Sequence, residues 1–314
     1  MTRRFCTIAL ILVLFIAVGA LADEASLTIL VPKSTSSIPL LEVAKRDKAT
    51  DVVPGVAVDV EVFANHAQAV ARLLNGDVEL LFTGSSVGWS NHLNGGPIVM
   101  IGTGIWGVSS LIGVSDHYQD LGDLRGKTLV LPFPGAPMDL QMRYILEQSG
   151  IDPDADLHIV YAPFPQAAAQ LIGGQVDAAP LPEPLATTLV VGRGLVRYVR
   201  LQDAWMDVSG GDPYSPQVSL FGVAGTIAGS DGIISALLEA WREASQYVAD
   251  TPREAAASHA GALGQPAPIV EKAIENTIFY VPDRAENRTR VLAYIDTVGQ
   301  EGDPLPGEDF FITP

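Results

Sequence analysis

The chain is short of thiols, of positive charge and of long apolar runs. Among 314 residues it has one cysteine, Cys6, and 19 Lys and Arg against 36 Asp and Glu. A single cysteine excludes a disulfide scaffold. The formal net charge of −17 excludes a sequence-independent grip on nucleic-acid phosphates and adhesion to an anionic membrane face. Beyond residue 22 no stretch is both long and apolar enough to span a bilayer. What the chain does have is a 48% hydrophobic share, ample for a buried core and far from a disordered or collagen-like composition. Its length suits one large domain or two smaller ones.

Residues 1–22, MTRRFCTIALILVLFIAVGALA, carry Arg3 and Arg4, then an apolar run from Ile8 to Val18, then Ala20-Leu21-Ala22. That layout predicts a cleaved signal peptide; the alternative is a leader retained as an anchor, for which the apolar run is short. Cleavage leaves residues 23–314 with no cysteine, held by packing alone and expected in the periplasm.

The middle of the chain repeats itself. EVFANHAQAVARLLNGDVEL (61–80) aligns without gaps to IVYAPFPQAAAQLIGGQVDA (159–178), with eight identities in twenty positions. Val62 meets Val160, Ala64 meets Ala162, Gln68 meets Gln166, and Gly76 meets Gly174. A shorter echo precedes each copy, SLTILVPKSTSSIPLL (26–41) against GKTLVLPFPGAPMDLQ (126–141). Each copy predicts a short strand (Leu27–Val31; Thr128–Leu131) ended by a proline, then a Gly/Ser/Pro loop and a helix (Ile38–Arg46; Pro137–Gln148). A second strand (Val58–Phe63; His158–Tyr161), a helix stopped by glycine and a third strand (Val78–Phe82; Val176–Ala179) follow. Alternating strands and helices imply βαβ units and mainly parallel sheets.

Two such copies predict an α/β protein of two similar lobes, each a mainly parallel sheet flanked by helices. The β-rich passages 98–114 and 215–225 supply two strand-like crossovers, a hinge, and helices are expected at about 230–249, 252–262, 267–278 and 284–297. The expected division is lobe 1 at 23–112 with 222–314, and lobe 2 at 113–221.

The same residues resemble a known family. DLRGKTLVLPFPGAP (123–137), ARLLNGDVELLFTGSS (71–86) and AAQLIGGQVDAAPLPEPLA (168–186), with its Glu183-Pro184 pair, are similar in order and spacing to the nitrate/sulfonate/taurine group of periplasmic solute-binding proteins of ABC importers, which includes thiamine-pyrimidine-precursor-like members. The resemblance implies a type II periplasmic-binding-protein fold that closes on a small molecule and presents it to a membrane permease and its ATPase. The tryptophan that often precedes the Glu-Pro pair in sulfonate-type members is Pro182 here, which leaves the ligand class open.

In open α/β sheets ligands bind beyond the carboxyl ends of the strands, where helix N-termini offer free N–H groups. Four loops qualify: Lys33, Ser34, Thr35, Ser36 and Ser37; Thr83, Gly84, Ser85 and Ser86; Pro134, Gly135, Ala136, Pro137 and Met138, following Phe133; and Leu181–Glu183. The Ser and Thr residues equally suit helix caps. Glu183, the counterpart of Ser85, is expected to be a charged acceptor that repels a simple anion unless Lys33 offsets it. Trp106, in the GTGIWG run, is a candidate for stacking on a flat ligand. Trp89 reads as core or stacking, Trp205 and Trp241 as packing.

The leading expectation is therefore a non-enzymatic, monomeric receptor for a small polar organic solute, with no cofactor or metal. A ligand-sensing subunit for a membrane signalling protein fits the same residues. A pyrimidine-synthase-like enzyme of the same fold lacks support, since no cysteine remains after cleavage and the five histidines show no paired metal-ligand spacing.

Overall fold

The computed structural model describes residues 25–299 and 304–312; the expected signal peptide at 1–22 lies outside them. The first half runs β1 (Ala25–Pro32), α1 (Ile38–Thr50), β2 (Val56–Phe63), α2 (His66–Asn75), β3 (Leu80–Gly84), α3 (Ser85–Leu93) and β4 (Ile98–Gly107). Then come β5 (Ser109–Gly113), β6 (Thr128–Leu131), α4 (Pro137–Gln148), β7 (His158–Tyr161), α5 (Phe164–Ile172) and β8 (Ala178–Pro182). They are followed by α6 (Leu185–Arg193), β9 (Val196–Arg200) and α7 (Leu201–Val208). The chain ends with β10 (Val218–Val223), a short α8 (Ala224–Ile227), α9 (Asp231–Asp250), α10 (Pro252–Leu263), α11 (Ala267–Glu275), β11 (Ile278–Phe279) and α12 (Arg284–Val298).

Local chemistry sets these bounds. Asn65 accepts a hydrogen bond from Gln68 N at the start of α2, and Gly76 ends that helix in the left-handed region at φ 75°, where a side chain would clash. Pro137 and Pro252 open their helices, positions whose N–H has no intrahelical acceptor. Asp283 caps α12 by accepting from Glu286 N.

Two separate sheets result, in the orders β11-β4-β10-β3-β1-β2 and β7-β6-β8-β5-β9. The repeat is visible in them: β1, β2 and β3 are arranged as β6, β7 and β8, with parallel pairing. Beside β3 runs antiparallel β10, and beside β8 runs antiparallel β5. Each of these strands is delivered by chain arriving from the other sheet. β4 is buried along its whole length, as a strand covered on both faces must be. Trp241 of α9 fills one side, with the Phe82 ring edge-on to it at 5.4 Å; Phe221, Trp89 and Tyr294 fill the other.

Sheet membership differs slightly from the expected division. Ser109–Gly113 pairs within the second sheet and Val218–Val223 within the first, so both changes of sheet come a few residues before 113 and 222. The hydrophobic runs gave no boundary because β4 and β5 are separated by Val108 alone. Among the described residues, no helix is long and apolar enough to cross a membrane.

Candidate functional site

The carboxyl ends of both sets of parallel strands face the crossovers. β5 starts at Ser109, paired with Pro182 at the end of β8, and β10 starts at Val218, paired with Gly84 at the end of β3. The loops named from the sequence therefore gather where the lobes meet. A Cβ built on Gly84 would lie 3.6 Å from Pro137 Cγ, so the β3–α3 turn of one lobe abuts the first residue of α4 in the other. Tyr294 Oη donates to Pro137 O at 3.4 Å. Gln141 of α4 donates to Ser215 Oγ at 2.7 Å and accepts from Gln217 Nε2 at 3.1 Å.

Most hydroxyls of these loops have local partners. Ser34 accepts from Ser36 N at 3.2 Å and pairs with Ser36 Oγ, and Ser37 Oγ donates to Pro32 O. Thr83 Oγ1 bonds the His66 Nδ1 at 3.1 Å; desolvation lowers the pKa of that imidazole, keeping it neutral near pH 7. Ser85 Oγ joins Ser219 Oγ and Thr103 Oγ1 in a buried chain with 2.8 Å links, so this hydroxyl serves the interior of lobe 1. Ser86 is buried beside it. Lys33 is exposed and leans on the α10–α11 turn, its Nζ 3.0 Å from where a Cβ on Gly264 would stand. Pro134 and Gly135 are exposed and Pro137 half-buried; Ala136 is buried, and Met138 belongs to the lobe 2 core.

Two expectations need correction. Trp106 offers no stacking face: it is fully buried, its Nε1–H donates to Tyr280 O at 2.8 Å, and its ring meets Tyr214 edge-on. Glu183 is not a lone carboxylate that would repel an anion. Its Oε2 accepts from Thr187 N in the first turn of α6 at 3.0 Å, and its Oε1 lies 2.8 Å from Arg197 Nη1. Arg197 Nη2 also donates to Thr187 Oγ1, and its Nη1 reaches Ser110 Oγ. The pair is formally neutral. Burial still raises the Glu183 carboxyl above the usual range, against the pull of Arg197 and Thr187. Lobe 2 holds a parallel case in Asp139, which is buried and accepts from Gly135 N at 2.8 Å at the start of α4.

Among the described residues, the buried polar atoms without a hydrogen-bond partner include Thr35 Oγ1, Ser109 Oγ and Glu183 Oε1, the last ion-paired without hydrogen-bond alignment, and, on α7, Gln202 Oε1 and Trp205 Nε1. The first three come from the β1–α1 loop, the crossover and the end of β8. Buried polar atoms are rarely left so.

The family described as "ABC transporter, phosphonate, periplasmic substrate-binding protein" matches residues 48–201. That match spans just under half of the chain and likens it to the periplasmic substrate-binding proteins of ABC transporters. A nitrate/nitrite binding protein, NrtA, of Synechococcus elongatus is 42% identical over 67 residues, which are 21% of this chain and only 15% of that protein's length. Among solved structures, an ABC transporter from Parabacteroides distasonis superposes with a TM-score of 0.74 at 19% identity, covering 93% of this chain and 99% of that one. The periplasmic aliphatic sulphonate binding protein SsuA of Escherichia coli gives 0.69 at 18% identity, covering 87% and 91%. These likenesses establish the two-lobed type II binding-protein fold.

Several polar residues near these loops were not marked by the sequence alone. Arg197 stands in VRYVR, half-buried throughout, with nothing to separate it from Arg200, which pairs with nearby Asp203. Ser109, Gln141 and Gln217 are uncharged polar residues with no sequence pattern that marks them. Gln265, in the α10–α11 turn, lies 3.4 Å from Thr188 of α6 and is brought there by the final helices. Among the described residues, no three His, Cys, Asp or Glu side chains cluster as metal ligands would.

Proposed function

We propose that the protein is a monomeric extracytoplasmic receptor of the nitrate/sulfonate/taurine type that binds a small polar organic molecule between its lobes and hands it to an ABC permease and its ATPase. The reading rests on one observation: Thr35 Oγ1, Ser109 Oγ and the ion-paired Glu183 Oε1 are buried and have no hydrogen-bond partner among the described residues. A guest supplying these bonds would offset their desolvation, about 1–3 kcal/mol each. Such a guest contacts both lobes and so favours their approach. Asp139 and Glu183 already accept from N–H groups at the starts of α4 and α6, and each is paired with an arginine, Arg143 and Arg197, so these helix ends present no uncompensated charge to the guest.

The test is mass spectrometry of small molecules carried through native purification, followed by calorimetry with each compound found and with nitrate, taurine and methylphosphonate. Ser109→Ala gives the sharper readout. Removing an unpartnered hydroxyl should leave the ligand-free protein as stable or more stable, while weakening the guest about tenfold, the loss of one hydrogen bond of about 1.4 kcal/mol. Failure to find any binder tighter than millimolar, or unchanged affinity in the variant, would overturn the reading.

A further inference from the structure

A cavity of about 570 Å³ is lined by none of the residues of the four loops. One wall comes from α4 and α7, with Tyr144, Trp205 and Val208; the other comes from α12, with Tyr294 and Ala293; the return crossover closes it with Tyr214. α4 packs into the core of the second sheet and α12 into that of the first, so anything in the cavity touches both lobes. Its volume falls within the range of small-molecule sites.

The walls specify a chemistry. Tyr144, Trp205 and Tyr294 form a run of rings, with centroids 5.3 and 5.1 Å apart. Two carboxylates, Asp212 and Glu286, face one cation, Arg290. Arg290 itself shows what such a wall holds: its guanidinium lies 4.4 Å over the Tyr214 ring, with Nε 2.8 Å from Glu286 Oε1 and Nη1 3.1 Å from Asp212 Oδ2. A planar cation thus already rests between an aromatic face and two carboxylates. One negative charge remains in excess; Asp212 Oδ1 already accepts from Tyr214 N and Arg290, whereas Asp212 Oδ2 and the two Glu286 oxygens accept one bond each, and Tyr144 is half-buried. Aromatic faces attract cations through their quadrupole, and the −17 net charge of the chain draws cations towards it.

We propose that this cavity is a second binding site, for a planar aromatic cation, distinct from the solute site between the four loops. The probe is N-methylquinolinium, titrated calorimetrically into the purified protein, with 2-naphthoate as a planar anion of similar size. N-methylquinolinium should bind with submillimolar Kd and 2-naphthoate at least tenfold more weakly. Ala293 is exposed on the cavity wall, so Ala293→Phe should fill the space, reduce affinity at least tenfold and leave the unfolding temperature unchanged. Glu286→Gln should reduce affinity about threefold. No binding at millimolar probe, equal binding of 2-naphthoate, or undiminished binding in Ala293→Phe would overturn the proposal. Loss of the probe in Ser109→Ala would place the cation between the four loops instead, and would overturn it equally.

Discussion

Replacing Arg197 by methionine tests the buried network at the start of α6. Glu183 is wholly buried, and the Arg197 side chain keeps only a fifth of its surface open. Removing one member of a buried pair costs about 3–5 kcal/mol; the partial exposure of Arg197 and the remaining bond from Thr187 N bring this to about 2–4 kcal/mol. For a chain of this size that is a fall of about 4–8 °C in unfolding temperature at pH 7. The double variant Arg197→Met with Glu183→Gln leaves no unpaired charge and retains an acceptor for Thr187 N. It should recover at least half of the loss. The pH dependence has a fixed sign. Because burial holds the Glu183 carboxyl above its ordinary range, its titration contributes stability below the unfolded-state value and loses that contribution as pH rises through the folded value. The deficit of Arg197→Met, whose lone carboxyl is raised further, should be largest near pH 8 and shrink towards pH 5. The assay is calorimetric or circular-dichroism melting across that range. A deficit under 1 °C at pH 7, or one that widens on acidification, would refute the argument.

Two further outcomes are expected. A methyl group on Gly104 would overlap the Trp241 ring, which is fully buried against β4; Gly104→Ala should cost about 3 kcal/mol or more, and a denaturant midpoint equal to that of the parent would contradict the packing described. Burial acts to raise the Glu42 pKa, but hydrogen bonds from His259, Arg46 and Lys45 leave the group below the usual range. Its contribution is therefore present above the unfolded-state value and lost as pH falls through the folded one. Glu42→Gln should destabilise at pH 7 and converge with the parent below about pH 4, as read from parallel melts.

Much of this architecture was legible because it rests on local signals. Pro32, Gly76 and Gly174 punctuate the repeat, and the predicted helix Pro137–Gln148 and strands Thr128–Leu131 and His158–Tyr161 coincide with the structure. The final helices fall within a few residues of expectation, for the same reason. β9 was not anticipated: VRYVR is an edge strand, half-buried at every position, so it shows no alternation of apolar and polar faces. The site was legible as loops but not as partners. A serine in such a loop reads the same whether it bonds Pro32 O, as Ser37 does, or joins an interior chain, as Ser85 does. Likewise Glu183 gives no sign in sequence that an arginine fourteen positions on will meet it, because strand order, not spacing, brings β9 beside β5.

The passage from β4 to β5 consists of Val108 alone, whereas the return runs through α7 and some ten further residues before β10. Any swing of one half against the other is thus concentrated at one joint and merely accommodated by the longer strap. The carbonyl of that joint accepts the Glu183 N–H at 2.8 Å, so torsion at the pivot is mechanically geared to the very carboxyl on which the guest is proposed to rest.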